Sequence, residues 1–92
     1  MRFDIEEDRN LFAEEVCGYH ESDRTVTQCV AGRSQLRIEG SDIYVGRKGA
    51  EAEIKNVDYV EQDKNIWDSG KFPKSGWKAY RDGEHVGSFV IS

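Results

Sequence analysis

The sequence predicts an α+β fold: an N-terminal helix packed on a five- to six-stranded antiparallel β-meander sheet. Three observations carry that expectation. Apolar residues near the N-terminus recur at helical spacing; from Arg24 onward the period becomes alternating; and glycines at 32, 40, 46, 49, 70, 76, 83 and 87 punctuate the alternating part as turns do. No repeat or low-complexity linker interrupts the 92 residues. Residues 1–92 are therefore read as one domain, with an acidic helical segment at 4–19 and a sheet at 24–91. A chain this short buries about 60 to 65% of the surface it exposes when unfolded, so its core is small. Ten aromatic residues supply the large burial units that a disordered chain lacks.

The elements follow in order. Asp4-Ile5-Glu6-Glu7 has the D-x-x-E form of a capping box, and acids in a first turn complement the positive end of the helix dipole. Phe12, Val16 and Tyr19, with Leu11 beside them, make one apolar stripe, and Gly18 supplies the stop. A second start fits too: Phe3 and Ile5 alternate with Arg2 and Asp4, giving a short strand over 2–5 before a helix capped at Asp8. Thr25 to Ala31, Leu36 and Ile38 with their alternating neighbours, and Ile43-Tyr44-Val45 after the turn Gly40-Ser41-Asp42 read as three strands. Ala52 and Ile54 continue one register and Val57 and Tyr59 take the other, which predicts a fourth strand with a bulge near Lys55-Asn56. Gln62 to Ser75 reads as a long loop holding the single proline, Pro73, with Ile66-Trp67 as an edge strand or anchor. The last hairpin is the plainest local signal, because Asp82-Gly83 supplies the positive φ angles of a type I′ turn between two alternating arms.

No catalytic signature is present. H-E-x-x-H, G-x-S-x-G, the P-loop and the dinucleotide-binding fingerprint are all missing, so the expectation is a protein that is not an enzyme and holds no cofactor. His20 and His85 are the two groups with ordinary pKa values near neutrality, and both read as structural, with His85 displayed at even spacing beside Phe89 and Ile91. Cys17 and His20 have C-x2-H spacing, and Cys29 and His85 could complete four ligands. Zinc sites pair their ligands closely twice and here one pair is close, so no metal is expected. No apolar run approaches the roughly 20 residues that span a bilayer, and Met1-Arg2-Phe3-Asp4 leads into acids rather than a signal-peptide pattern. The expectation is a soluble cytoplasmic protein, away from membranes, with Cys17 and Cys29 as reduced thiols. Monomer and dimer stay open.

Charge is what the chain distributes unevenly. The first 23 residues hold eight acids (Asp4, Glu6, Glu7, Asp8, Glu14, Glu15, Glu21, Asp23) against two bases, whereas the other 69 hold ten acids and eleven bases. The whole net charge of −5 thus resides at one end, either as a solvated face or as a surface for a basic partner. Glu6, Glu7, Asp8, Glu14, Glu15, Glu21 and Asp23 would line one element about 20 Å long at 1.5 Å per residue and imitate nucleic-acid phosphates toward a basic groove. A competing surface lies at Lys71, Lys74, Trp77, Lys78, Tyr80 and Arg81, where cations and rings interleave as single-strand binding uses them. The acidic total weighs against it, since nucleic-acid-binding domains are ordinarily basic. Gly46-Arg47-Lys48-Gly49 could form a small anion nest or simply a turn with charged tips.

In size, in acidity, in the acidic element Asp4 to Asp23 and in the polar meander from Thr25 to Ile91, the chain resembles the small inhibitor proteins, anti-CRISPR proteins among them, that phages use against bacterial defence. The resemblance is one of general character and transfers no residue roles. It implies a non-enzymatic inhibitor inside a bacterial host cell, docking its acidic surface on a protein or nucleoprotein complex with a basic surface. The alternatives are a small nucleic-acid-binding module using residues 71–81 and an immunity-type protein-interaction domain.

Overall fold

The computed structural model describes residues 1–23, 25–47, 49–63 and 75–91. The chain opens as a strand, β1 (Arg2–Asp4), whose Phe3 pairs with Val60. Ile5 is fully buried, and its N–H donates to the Asp58 carbonyl at 3.0 Å. That pairing claims the residues from which the helix over 4–19 was expected to start. The D-x-x-E signal closes a turn instead: Asp4 Oδ1 accepts the N–H groups of Glu6 (2.9 Å) and Glu7 (3.1 Å), while Asp8 Oδ2 accepts the Asp4 N–H (3.1 Å). The helix α1 is correspondingly short, Arg9–Cys17, with Asp8 at its N-cap. Gly18 ends it in the left-handed conformation (φ 78°), donating its N–H to the Glu14 carbonyl at 2.7 Å. The buried stripe is Phe12 and Ala13, with Val16 and Cys17 packed beside them; Leu11 is 57% exposed and Tyr19 lies beyond the helix.

Five strands then form one antiparallel sheet in the order β2 (Glu21–Ser22), β3 (Val26–Ala31), β4 (Ser34–Glu39), β5 (Asp42–Arg47), β6 (Ala50–Ile54). Alternation sorts its faces. Thr27, Cys29, Leu36, Ile38, Ile43 and Val45 are buried, and the register sets Cys29 opposite Leu36 and Ile38 opposite Ile43.

A second antiparallel sheet, ordered β1, β7 (Tyr59–Gln62), β8 (Ser75–Arg81), β9 (Glu84–Ile91), replaces the single five- to six-stranded sheet that the sequence predicts. The reason lies between β6 and β7, where a bulge was expected. Asn56 adopts a positive φ of 55° and its N–H reaches Asp42 Oδ1 (3.1 Å). Val57 donates to the Ser41 carbonyl (2.8 Å) and Asp58 to the Tyr80 carbonyl (2.8 Å). Within three residues the chain is handed from one sheet to the other, so the change of register marks a crossover.

The last hairpin forms as the sequence indicates, with Asp82 at φ 52° and Gly83 at φ 78°. One detail departs from strict alternation. Tyr80 pairs with His85 but Ala79 with Gly87, so Val86 is an extra residue. The slip turns His85 outward beside Tyr80, away from Phe89 and Ile91, which are buried.

The inner faces of both sheets and α1 share one core. Phe12 meets Trp77 edge-on at 4.9 Å, Phe3 lies 5.8 Å from each of these rings, and Phe89 is 6.2 Å from Phe12. Cys17 at the helix end and Cys29 on the inner side of β3 form a disulfide across a Cα separation of 6.0 Å. Reduced thiols were the expectation. It came from a compartment base rate, and the packing of α1 on β3 brings the two residues together; the bond removes the support that free cysteines lent to a cytoplasmic location. Among the described residues no helix is long and apolar enough to cross a membrane.

Candidate interaction surface

The acidic residues do not share one long helix. Glu6 and Glu7 sit in the turn before α1, Asp8 at its N-cap, Glu14 and Glu15 within it, Glu21 on β2 and Asp23 between β2 and β3. At nine residues the helix is about 13 to 14 Å long, so the acids lie along a turn, a helix and an edge strand in succession.

Three of the seven are committed to the fold. Asp8 closes the first turn; Glu14 Oε1 lies 3.0 Å from His20 Nδ1, an ion pair whenever the imidazole is protonated; Asp23 Oδ1 accepts the N–H groups of Thr25 and Val26, both at 2.8 Å. Those bonds, the Thr25 amide first, hold the Asp23 carboxyl below its ordinary pKa, so it stays charged. Glu6, Glu7, Glu15 and Glu21 are exposed and make no side-chain hydrogen bond or ion pair among the described residues. Their charge is left to the solvent or to a partner.

Most cations of the sheets are, by contrast, engaged. Arg37 lies over the Tyr44 ring at 4.0 Å and reaches Glu39 (2.6 Å) and Glu51 (3.2 Å). The Glu51 hydrogen bond leads the causes that raise its pKa. Lys55 pairs with Glu53 at 3.4 Å and Lys78 with Asp63 at 2.8 Å, and these carboxylates hold both ammonium groups protonated beyond their ordinary range.

The competing basic and aromatic surface is distributed differently from its sequence order. Lys71 and Lys74 lie outside the described residues. Trp77 is 1% exposed and belongs to the core. Tyr80 stacks on Tyr59 with centroids 4.9 Å apart, Arg2 covers the other side of Tyr59 at 3.8 Å, and His85 follows Tyr80 at 5.8 Å. Tyr59 thus lies between Arg2 and Tyr80, whereas base stacking needs a free face. Arg81 reaches the Lys55 carbonyl at 3.5 Å. Gly46, first residue of the expected anion nest, is a strand residue opposite Glu51, and Lys48 lies outside the described residues.

No protein-family model matches this chain, and neither a curated protein nor a solved structure matches it.

The described residues contain no cluster of three or more histidine, cysteine or acidic side chains placed to hold a metal. Cys17 and Cys29 are bonded to each other, His20 faces Glu14, and His85 Nε2 lies 2.8 Å from Ser88 Oγ.

Tyr19 and Glu21 wall a cleft beside β3 and β4 that no motif in the sequence announces. Helical spacing alone places Tyr19 on the stripe of Phe12 and Val16. The stop at Gly18 leaves Tyr19 beyond the helix at 49% exposure, and the brevity of β2 is the part that no motif encodes.

Proposed function

We propose that this protein is a non-enzymatic binding protein whose acidic N-terminal surface docks on a basic surface of a nucleic-acid-handling complex and blocks it. One observation supports the reading: Glu6, Glu7, Glu15 and Glu21 are exposed and have no counter-charge among the described residues, while the neighbouring fold already satisfies Asp8, Glu14 and Asp23. Uncompensated carboxylates on a folded surface speed encounter with a cationic partner and set its orientation. A phage-type inhibitor acting in a bacterial cell, as the resemblance to anti-CRISPR proteins implies, is the setting that suits such a surface.

The test is capture of bacterial nucleic-acid-handling complexes on the immobilised, oxidised protein, with and without nuclease. Capture should survive nuclease, weaken with salt, be competed by free nucleic acid, and disappear in Glu6→Lys, Glu7→Lys, Glu15→Lys at unchanged Tm. Undiminished capture by that triple variant, or capture that vanishes with nuclease, would overturn it.

A further inference from the structure

The chain leaves α1 at Gly18 and enters β2, which pairs with β3 for two residues only, Glu21 with Gln28 and Ser22 with Thr27. Beyond that point no described strand runs beside β3 on the β2 side, and Val30 is 42% exposed. Where β2 stops short, a cleft of about 140 Å³ opens; Tyr19, Glu21, Gln28, Val30, Gln35 and Arg37 line it together with the core residues Cys29 and Leu36. Sites for drug-sized ligands run to about 300–1,000 Å³, so this one has room for a single side chain.

Its chemistry selects which. Tyr19 is 49% exposed, and with Val30 it places two large apolar groups in solvent at one spot. Arg37 carries a positive charge into the lining, but Glu39 and Glu51 already neutralise it. Glu21 has no such partner among the described residues, and it also lines the adjoining groove with Asp23, whose carboxyl the Thr25 and Val26 amides keep ionised. The uncompensated charge of the cleft is therefore negative, beside a ring and an aliphatic wall.

We infer that this cleft is the anchor point of the acidic surface and receives one arginine side chain of the basic partner. The inference rests on the acidic-docking reading and names the partner group it requires. A guanidinium stacks flat on Tyr19, forks onto the Glu21 carboxylate through two N–H groups, and lays its stem against Val30. Gln28 and Gln35 offer side-chain carbonyls to the remaining donors. Lysine has neither the plane nor the fork, so the cleft discriminates between the two cations.

The experiment is an amide-resolved NMR titration of the oxidised protein with three capped tripeptides, Gly-Arg-Gly, Gly-Lys-Gly and Gly-citrulline-Gly. The arginine peptide should shift the amides of residues 19–21, 28–30 and 35–37; the lysine peptide should do so more weakly; the neutral citrulline peptide should leave them unmoved. Tyr19→Ala and Glu21→Gln, both at exposed positions, should each weaken the arginine response about three- to five-fold, with dispersed spectra showing that the variants fold. Shifts confined to Glu6, Glu7 and Glu15, an equal response to lysine, or no shift at the highest peptide concentration would overturn the arginine anchor. The acidic-docking reading fails separately, when the Glu6, Glu7 and Glu15 reversal leaves capture of the complex intact.

Discussion

At the scale of single residues, the same side-chain type does different work according to what surrounds it. Asp23 is exposed, yet two backbone amides hold its carboxyl below the ordinary value, so the folded state binds that proton less tightly than the unfolded chain. Its contribution to stability is therefore present above the unfolded pKa of about 4 and lost as pH falls below it through the folded value. Asp23→Asn should lose less Tm than the native protein between about pH 5 and pH 3, as thermal melts at the two pH values would show. Glycines divide similarly. A Cβ on Gly46, at φ 140°, would lie 2.7 Å from the Ala50 carbonyl oxygen, whereas on Gly87 it would meet the movable end of Ile54 at 2.8 Å. Gly46→Ala should cost about 2–3 kcal/mol and Gly87→Ala about 1 kcal/mol, read from urea unfolding midpoints.

At the scale of elements, α1 is too short to be stable alone, since isolated helices under about 12–15 residues are marginal in water. Phe12 and Ala13 in the core and the bond from Cys17 to Cys29 hold it on β3. That bond closes a loop with a sequence separation of 12 residues, for which restriction of the unfolded chain is worth about 3 kcal/mol. Thiol reductant, or Cys17→Ser with Cys29→Ser, should lower the unfolding free energy by about that amount. It should also raise hydrogen exchange first in residues 9–22, because the helix end and β2 lose their shared tether. Uniform exchange across all strands would show instead that the helix is held by its aromatic contacts alone. The hairpin of β8 and β9 stands apart from this dependence: Asp82-Gly83 sets its own backbone angles, and the alternation of Trp77, Ala79, Phe89 and Ile91 into the core follows from a period of two.

At the scale of the molecule, two sheets and one helix meet on a small aromatic cluster, so a single large loss is felt throughout. Phe12 touches Phe3, Trp77 and Phe89 from the helix side. Phe12→Ala should cost about 3–5 kcal/mol, a large share of the roughly 5–15 kcal/mol that holds a domain folded, and melting followed by near-ultraviolet circular dichroism would measure it. Surface reversals at Glu6, Glu7 and Glu15 touch none of these contacts and should leave Tm unchanged while removing the field that the proposed partner reads.

What the sequence determines by itself is local. Alternation placed Thr27, Cys29, Leu36, Ile38, Ile43 and Val45 on one side of their strands, glycine chemistry marked the end of α1 and the final hairpin, and the order of acids located the charge at one end of the chain. These properties depend on neighbours a few residues away, which a linear reading contains. Tertiary structure decided the rest: whether residues 2–5 join a helix or pair with β7, whether Lys55 to Asp58 is a bulge or a change of sheet, and whether Cys17 reaches Cys29. It also decided that Tyr19 and Glu21 frame a cleft. Each of those outcomes is a competition between a local preference worth a few tenths of a kcal/mol to about one and a long-range pairing or burial worth more. The long-range side prevails, and its partners lie outside any local window, from Cys29, 12 residues after Cys17, to Glu61, paired with Arg2.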